Sequence, residues 1–319
     1  MKILVTGGAG FIGSNFVSYL VENYDDQIIN IDKLTYAGNI DNIKKFSSLV
    51  NYQFYRGDIR DKKFVDKVLD KDVDYVVNFA AESHVDRSID SPNQFIKTNV
   101  EGTQVLLNRA LECNLKKFVQ ISTDEVYGSL NDKDLFNEDD SLNPTNPYAA
   151  SKASADLITE SYYKTYGLPV NITRSSNNYG PYQFPEKIIP LFITNILKNK
   201  KVPLYGDGQN IRDWIYVKDN CRAIDLIMRK GKVGEIYNIG ANNEKSNLEL
   251  TKNILKIMNK SNSFIKFVSD RPGHDYRYAL ASKKLKKELS WSPNTSFIAG
   301  LKKTINWYQK NKDWWKESK

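Results

Sequence analysis

Short β-branched segments alternate with longer amphipathic segments over the first half of the chain. The short segments are typical of strands because Val, Ile, Phe and Tyr dominate them: KILVTG, QIINID, YQFYRG, DYVVNFAA and KFVQIST. Between them, apolar residues recur at helical spacing in GFIGSNFVSYLVENY, KKFVDKVLDK and TNVEGTQVLLNRALECN. The alternation predicts an α/β fold with a doubly wound parallel sheet and crossover helices.

The pattern loosens after about residue 175, where the turn-rich segments SSNNYGPYQFPEK and LYGDGQNIRDW are interspersed with the helical stretches IIPLFITNILKNK and NLELTKNILKIMNK. These segments predict a second, smaller α/β lobe. The strand-like GEIYNIG is expected to return to the large sheet. We therefore predict a first domain at 1–175 with a returning segment at about 213–240, and a second domain formed mainly by 176–212 and 241–319.

The composition is that of a globular protein. Hydrophobic residues make up 40% and charged residues 26%, and the 17 Gly and 10 Pro are scattered, which excludes collagen-like and disordered classes. No apolar run approaches the ~18 residues of a membrane helix, and the start of the chain lacks a signal-peptide pattern, so we expect a cytoplasmic protein. Cys113 and Cys221 stand apart and are expected to be buried thiols. His84 and His274 have no companions at ligand spacing, so we expect no metal site.

The net charge of +8 is unevenly distributed. Residues 252–319 contain 14 Lys and 2 Arg against 3 Asp and 2 Glu, a net charge of +11. Most of these lysines lie in helix-like stretches such as SKKLKKELSW, where a solvated helix face is the simpler explanation. Nucleic-acid binding is an alternative that predicts steep salt dependence. A basic lobe that faces an anionic small molecule is a third, and we expect that kind of partner, with no nucleic acid and no membrane.

A glycine-rich turn from Gly7 to Gly13 joins the first strand to the first helix. This context is typical of a Rossmann dinucleotide site, where glycines let the backbone approach a pyrophosphate and the helix N-terminus faces the anion. Asp32 follows 19 residues after Gly13, at the end of the second strand, and favours NAD over NADP, although neighbouring Lys33 leaves some ambiguity. Asp58 ends the third strand and either binds the adenine amino group or caps a helix.

A second pattern combines the tip of the fifth strand with Tyr148 and Lys152. The two residues are four apart, so in a helix they share a face, and the ammonium is expected to lower the pKa of the phenol. Lowering the pKa from ~10 to neutrality takes about 4 kcal/mol, which we assign to Lys152 and a nicotinamide ring together. With the hydroxyls of Ser122 and Thr123, the latter 25 residues before Tyr148, the pattern predicts hydride transfer at a carbinol.

The segments GGAGFIG, STDEVYG and YAASK resemble those of the extended short-chain dehydrogenase/reductase family of nucleotide-sugar enzymes. Further segments are similar to the branch that dehydrates dTDP-sugars in deoxysugar biosynthesis: FAAESHVDRS, SSNNYGPYQFPEK, GQNIRDWIYV, NEKSN and RPGHDYRY. The resemblance implies that Tyr148 takes the O4 proton with help from Thr123, Glu125 takes the C5 proton, and Asp124, in its acid form, protonates O6. That division of work needs separated pKa values for the two carboxyl groups.

The resemblance also implies the remaining site residues. The cofactor, NAD, is expected to contact Gly7, Gly10, Phe11, Ile12, Gly13, Asp32, Lys33, Thr35, Gly38, Asp58, Ile59, Ala80, Ala81, Ser83, Thr98, Tyr148, Lys152 and Asn177. The sugar is expected near Ser83, His84, Thr123 and Asn177, the pyrophosphate near Arg212, Asn247, Arg271 and His274, and the nucleotide end near Glu186 and Lys187. Taken without the resemblance, His84 is an ordinary polar loop residue, and FPEKIIP alternatively serves helix capping.

Other functions remain open at this point. A 4-epimerase on the same scaffold needs no acid at O6, so the Asp124-Glu125 pair argues against it; a dehydratase of UDP- or CDP-sugars is not distinguished. A non-catalytic NAD-binding regulator would be expected to have lost Tyr148, Lys152 or Glu125. The resemblance further implies a homodimer joined through the stretches 91–114 and 146–166.

Overall fold

The predicted strands form one large parallel sheet. The computed structural model describes residues 1–130, 134–270 and 275–317, and within these ranges the sheet has seven strands. With strands numbered along the chain, they are β1 (Lys2–Thr6), β2 (Gln27–Asp32), β3 (Tyr52–Arg56), β4 (Tyr75–Asn78), β5 (Lys117–Thr123), β6 (Val170–Ser175) and β10 (Ile236–Ile239). Their order β10-β6-β5-β4-β1-β2-β3 changes direction beside β1, as in doubly wound Rossmann sheets, and the predicted fold class is confirmed.

Helices cover both faces of this sheet. They are α1 (Phe11–Asn23), α2 (Lys62–Val68), α3 (Val85–Asp90), α4 (Pro92–Phe95), a π-helical stretch (Ile96–Glu101), α5 (Gly102–Leu111), α6 (Pro147–Tyr166) and α8 (Val217–Lys230). On one face α1 packs against α8, and on the other α5 packs against α2 and α6. Because helices cover both faces, the central strands are almost fully buried, and all seven residues of β5, the polar ones included, are buried.

The second lobe contains most of the remaining elements. They are β7 (Asn177–Tyr179), α7 (Ile188–Leu197), β8 (Val202–Tyr205), β9 (Ile211–Tyr216), β11 (Glu244–Ser246), α9 (Asn247–Ile257), β12 (Ile265–Val268), β13 (Arg277–Tyr278), α11 (Phe297–Lys310) and α12 (Lys312–Glu317), whereas α10 (Lys283–Leu289) packs against β10 of the large sheet and against α8. Strand β9 is central to a small sheet and pairs with β7, β11 and β13. Helices α7, α9 and α11 pack together beside it around a separate hydrophobic core.

The chain crosses between the lobes more than once. Strand β10 pairs in parallel with β6, so GEIYNIG does return to the large sheet. The first residues of the predicted returning segment, 213–216, belong to β9 and therefore to the small sheet. The return begins with α8, because its apolar residues Ile224 and Met228 join the core beneath α1.

The topology brings the candidate residues to one edge. Parallel strands β1, β2, β4 and β5 all end at the same side of the sheet, where the loops that follow them meet. The second-lobe segment 181–187, between β7 and α7, faces these loops. Within the described ranges, no helix is long and apolar enough to cross a membrane.

Candidate active site

The glycine-rich turn forms a backbone cradle at the end of β1. Gly7 has φ +67°, and a Cβ there would lie 2.7 Å from the amide nitrogen of Ala80. A Cβ on Gly13 would lie 2.3 Å from the carbonyl oxygen of Gly7. Helix α1 follows with Gly10 as its N-cap and no side chain bonded to its first amides. The cradle therefore fits an anionic group such as a dinucleotide pyrophosphate, as the sequence predicted.

A cavity of about 230 Å³ extends from this cradle along the ends of the strands. Every residue predicted to contact the cofactor lines it, with the exception of Asn177. Sequence reasoning missed the cavity-lining residues Ile31, Ala37, Phe79, Glu82, Ile121 and Gln183. Most of them directly adjoin a predicted residue in the sequence. The signal that could have identified them as cavity residues was therefore their position beside the predicted ones, not their chemistry.

The carboxylate of Asp32 lies beneath the cradle. Its Oδ2 accepts a hydrogen bond from the amide of Ala9 at 3.0 Å, and its Oδ1 accepts one from the amide of Leu34 at 2.7 Å. Burial raises the pKa of Asp32, and these amide bonds oppose the rise. Asp32 therefore lines the cavity and, through these two bonds, also holds the loop that contains Ala9 and the loop that contains Leu34.

Asp58 is held by two cations. Arg60 donates to both of its oxygens, the shortest bond being 2.7 Å from Nη2 to Oδ2, and Lys33 Nζ lies 3.0 Å from Oδ2. Burial alone would raise the pKa of Asp58, but the bonds from Arg60 and Lys33 lower it to about 2. The N-cap of α2 is Asp61, which accepts from the amide of Phe64, so the capping alternative for Asp58 is wrong. The Lys33 ammonium is already paired with Asp58, which weakens the argument that Lys33 binds the 2′-phosphate of NADP.

The two adjacent carboxyl groups follow the end of β5 in a 3₁₀ turn, Asp124–Tyr127. Thr123 caps the turn: its Oγ1 accepts from the amide of Glu125 at 3.3 Å and donates to Asp124 Oδ1 at 3.2 Å. Asp124 is only 2% exposed, and its Oδ2 makes no hydrogen bond within the described residues. Burial first, and the charge of Glu125 second, raise the pKa of Asp124 to about 8, although Arg212 opposes this.

Tyr148 and Lys152 lie one turn apart on α6, as predicted. Asn146 caps this helix by accepting from the amide of Ala149 at 2.9 Å, and its Nδ2 lies 3.5 Å from Glu125 Oε2. The cap therefore connects the start of α6 to the carboxyl turn, and both Tyr148 and Lys152 line the cavity.

The predicted lowering of the Tyr148 pKa, assigned to Lys152 and a nicotinamide ring together, is not produced by the protein's own groups alone. Burial and the charge of Glu125 raise the pKa of Tyr148, and a hydrogen bond with Thr123 only partly opposes them. Lys152 Nζ instead donates to the carbonyl oxygen of Ile121, and burial lowers the pKa of Lys152 itself to about 8. In a site this dry, desolvation of the phenolate outweighs attraction from an ammonium that is bonded elsewhere.

A buried ion pair joins α6 to β6. Asp156, 1% exposed and one turn after Lys152, accepts from Arg174 Nε and from Ser122 Oγ, both at 3.0 Å. Its charge opposes the lowering of the Lys152 pKa. Sequence reasoning missed this pair; the available signal was a carboxylate at helical spacing from Tyr148 and Lys152.

A polar cluster lies at the second-lobe side of the cavity, where Glu186, Lys187 and Ser83 line it. Glu186 Oε2 lies 3.5 Å from Arg87 Nε and 3.8 Å from His84 Nε2, and Lys187 Nζ donates to the carbonyl oxygen of Ser83 at 2.9 Å. Helix α7 has no side-chain N-cap bond, so the capping alternative for this segment is wrong. His84 itself caps α3, accepting from the amide of Arg87 at 3.3 Å.

The other predicted substrate residues lie in the small sheet. Arg212, 6% exposed, donates to the carbonyl oxygens of Ile211 and Asp275 at 2.7 and 2.9 Å. Asn247 begins α9 and is 7% exposed, and Asn177 lies on β7 beside β9. Arg271 and His274 lie outside the described residues. Within the described ranges, no three His, Cys, Asp or Glu side chains are grouped in a way that could hold a metal ion.

Comparisons with known proteins agree with this geometry. A family model described as GDP-mannose 4,6 dehydratase matches residues 4–304. The low-salt glycan biosynthesis protein Agl12 of Haloferax volcanii is 53% identical over 97% of this chain and 98% of its own length. The dTDP-glucose 4,6-dehydratase of Streptomyces niveus is 49% identical over 100% of this chain and 96% of its own.

A solved structure is also closely similar. The crystal structure of DesIV, a dTDP-glucose 4,6-dehydratase of Streptomyces venezuelae with NAD and TYD bound, superposes with a TM-score of 0.97. It is 48% identical, and the match covers 100% of both chains. The resemblance that the sequence motifs indicated is thereby confirmed.

Proposed function

This chain belongs to the GDP-mannose 4,6 dehydratase family, and from that premise we propose that it is a dTDP-glucose 4,6-dehydratase. The reaction converts dTDP-D-glucose to dTDP-4-keto-6-deoxy-D-glucose and water, a step in deoxysugar biosynthesis. The observation that carries the proposal is the burial of the Asp124 carboxyl group beside Glu125 and Tyr148, which raises the pKa of Asp124 to about 8 and so favours its acid form. An enzyme that only oxidises and reduces C4 has no use for such an acid.

NAD fits the cavity because the glycine cradle leaves room for a pyrophosphate and Asp32 lies where the adenosine ribose would be. Gly7, Gly10 and Gly13 would hold the pyrophosphate, and Asp58 would face the adenine. When bound, NAD would supply hydride acceptance at C4 and hydride return at C6, with no net oxidation, and its ring charge would favour the Tyr148 phenolate.

In the first step Tyr148 removes the O4 proton as C4 becomes a ketone. Thr123 shares a hydrogen bond with this phenol and orients the hydroxyl of the sugar. Lys152 contributes a positive charge one helical turn away. Removing a proton from a carbinol by a positioned base is worth roughly 10²–10⁴-fold in rate.

In the second step water leaves across C5 and C6. The 4-ketone acidifies the C5 proton, which Glu125 removes, and Asp124 gives its proton to O6 as the C6–O6 bond breaks. Glu125 later returns a proton to C5. Two adjacent carboxyl groups can divide this work because burial keeps Asp124 neutral near pH 7.

For the substrate, we assign the sugar to Ser83, His84, Thr123 and Asn177, the pyrophosphate to Arg212, Asn247, Arg271 and His274, and the nucleotide end to Glu186 and Lys187. The guanidinium of Arg212 lies close enough to Asp124 to oppose the rise of its pKa, which supports a place for the pyrophosphate next to the reacting sugar.

We also propose a homodimer through the helices of 91–114 and 146–166. Ile96 is 55% exposed and Leu157 is 57% exposed, and the stretches that carry them pack against each other. A second copy of the chain would cover these apolar side chains. The cytoplasmic location stays a prediction.

The test is mass spectrometry of dTDP-glucose incubated with the purified protein without added NAD. We expect loss of one water, and reduction of the product to a 6-deoxyhexose. UDP-glucose and CDP-glucose are assayed in parallel, and Tyr148→Phe is the inactive control. An unchanged mass with inversion at C4 would instead identify an epimerase, and faster turnover of a UDP- or CDP-sugar would overturn the base assignment.

A further inference from the structure

The C-terminal helices reach back to the cofactor cavity of the first domain. Trp314 of α12 donates from Nε1 to Asn42 Oδ1 at 2.7 Å, although the two residues are 272 positions apart. Asn42 lies in the loop region between β2 and β3 and is only 1% exposed. A partly buried hydrogen bond over this sequence distance joins α12 to the first domain.

The same Asn42 side chain supports the glycine cradle. Its Nδ2 donates to the carbonyl oxygen of Ala9 at 2.8 Å, while the amide of Ala9 donates to Asp32 Oδ2 at 3.0 Å. Both polar groups of Ala9 are therefore fixed between the two flanking glycines, Gly8 and Gly10. The side-chain amide of Asn42 therefore connects Trp314 to Ala9: its oxygen accepts from Trp314, and its nitrogen donates to Ala9.

The opposite wall of the cavity is held by the preceding helix. The hydroxyl of Tyr308 on α11 donates to the carbonyl oxygen of Gln183, which lines the cavity. Next to it, the ring of Tyr182 lies 4.8 Å from Trp307 and 6.0 Å from Trp314 between ring centroids. Tyr182 has φ +67°, a conformation that non-glycine residues rarely adopt without support from their surroundings.

We propose that Trp314 and Asn42 are positioning residues that hold the glycine cradle in the shape that binds NAD, and that α11 and α12 thereby couple the two lobes to cofactor retention. The inference rests on the proposed function, because NAD is the ligand whose retention is at issue. Its physical basis is preorganisation: a cradle already fixed in the free protein loses less conformational freedom when the dinucleotide binds.

The neighbouring tryptophan offers a matched control. Trp315 also donates an indole N–H, to the carbonyl oxygen of Tyr308 at 2.8 Å, and it packs in the core of the second lobe. Trp314→Phe and Trp315→Phe each remove one indole donor from the same helix and keep an aromatic ring. Only the first removes a bond that leads to the cradle.

The experiment measures NAD binding directly. NAD-free protein is titrated with NAD to obtain Kd, and the release of preloaded NAD after dilution gives the dissociation rate. We expect Trp314→Phe to raise both about three- to tenfold, the effect of one hydrogen bond, while Trp315→Phe stays within twofold of the unchanged protein. The Tm of each NAD-free variant is also recorded. If the role of Trp314 were purely structural, Trp314→Phe would lower Tm but would not weaken NAD binding more than Trp315→Phe does.

A second variant keeps the test decisive if Trp314→Phe does not fold. Asn42→Asp retains an acceptor for Trp314 but replaces the donor to Ala9 with an oxygen, so NAD affinity should fall at least as far. Equal Kd values for Trp314→Phe and Trp315→Phe, or an unaltered Kd in Asn42→Asp, would overturn this inference and leave the proposed function standing. A native chain that binds no NAD would overturn the proposed function together with it.

Discussion

Asp124 immediately precedes Glu125, yet the two carboxyl groups have different surroundings. Asp124 is 2% exposed, and its Oδ2 makes no hydrogen bond within the described residues, whereas Glu125 lies within 3.5 Å of the Asn146 amide. The negative charge of Glu125 is itself one reason why the pKa of Asp124 is raised to about 8. Two carboxyl groups that differ in this way can serve as acid and base at the same pH.

Separate substitutions should divide the elimination into its two proton transfers. Asp124→Asn keeps the base at C5 but removes the acid at O6, so we expect exchange of the C5 hydrogen in deuterated water without loss of water. Glu125→Gln should lose both exchange and dehydration. Each variant should dehydrate at least about 10²-fold more slowly, as measured by mass spectrometry. Loss of C5 exchange in Asp124→Asn, with exchange retained in Glu125→Gln, would reverse the two assignments.

The raised pKa of Asp124 should also appear in the stability of the protein. The folded protein holds this proton up to about pH 8, whereas the unfolded chain releases it near 3.8, so the free energy of unfolding falls as the pH rises between these values. Asp124→Asn removes this dependence. Relative to the native chain, the variant should gain on the order of 2–5 kcal/mol between pH 5 and pH 8. Urea unfolding of NAD-free protein at both pH values measures the difference; an equal difference at pH 5 and pH 8 would show that Asp124 is ionised in the folded state.

Asp32 should decide between NAD and NADP. Its carboxylate lines the cavity at the end of β2, where a 2′-phosphate would meet a negative charge. Asp32→Asn should therefore raise the affinity for NADP relative to NAD by about tenfold or more, as measured by titration with both dinucleotides. If both affinities fall by the same factor, Asp32 serves only to hold the amides of Ala9 and Leu34.

The proposed dimer can be tested with a pair of equally exposed residues. Leu157 on α6 and Phe267 on β12 are both 57% exposed, but only Leu157 lies on a helix assigned to the interface. Leu157→Glu should shift the protein to a monomer because it would bury an unpaired charge at the contact. Phe267→Glu should leave the dimer intact. Analytical ultracentrifugation distinguishes the two results, and a monomeric native chain would contradict the proposal.

Local patterns were sufficient to predict the large sheet and most of the cofactor cavity. Strands β1 to β5 lie at the predicted positions, since each carries a short run rich in β-branched and aromatic residues, which is typical of strands in a helix-covered parallel sheet. The roles of Gly7 and Gly13 could also be predicted from the sequence, because the property that the cradle needs at these positions is the absence of a side chain.

Long-range contacts could not be predicted from such patterns. Nothing near Asn42 in the sequence indicates Trp314 as its partner, and nothing near Asp156 indicates its pairing with Arg174. The position of β9 in the small sheet likewise depends on pairing with β11 and β13, which come later in the chain.

The same distinction between local and long-range properties applies to the chemistry of the site. The sequence by itself determined which groups are present, Tyr148 and Lys152 one helical turn apart and Asp124 next to Glu125, because spacing along a chain is a local property. Only the tertiary structure decided their protonation: it buried Asp124 and raised its pKa, and it directed Lys152 to the carbonyl oxygen of Ile121. The reason is that a pKa depends on solvent exclusion and on every charge nearby in space, most of which come from distant parts of the chain.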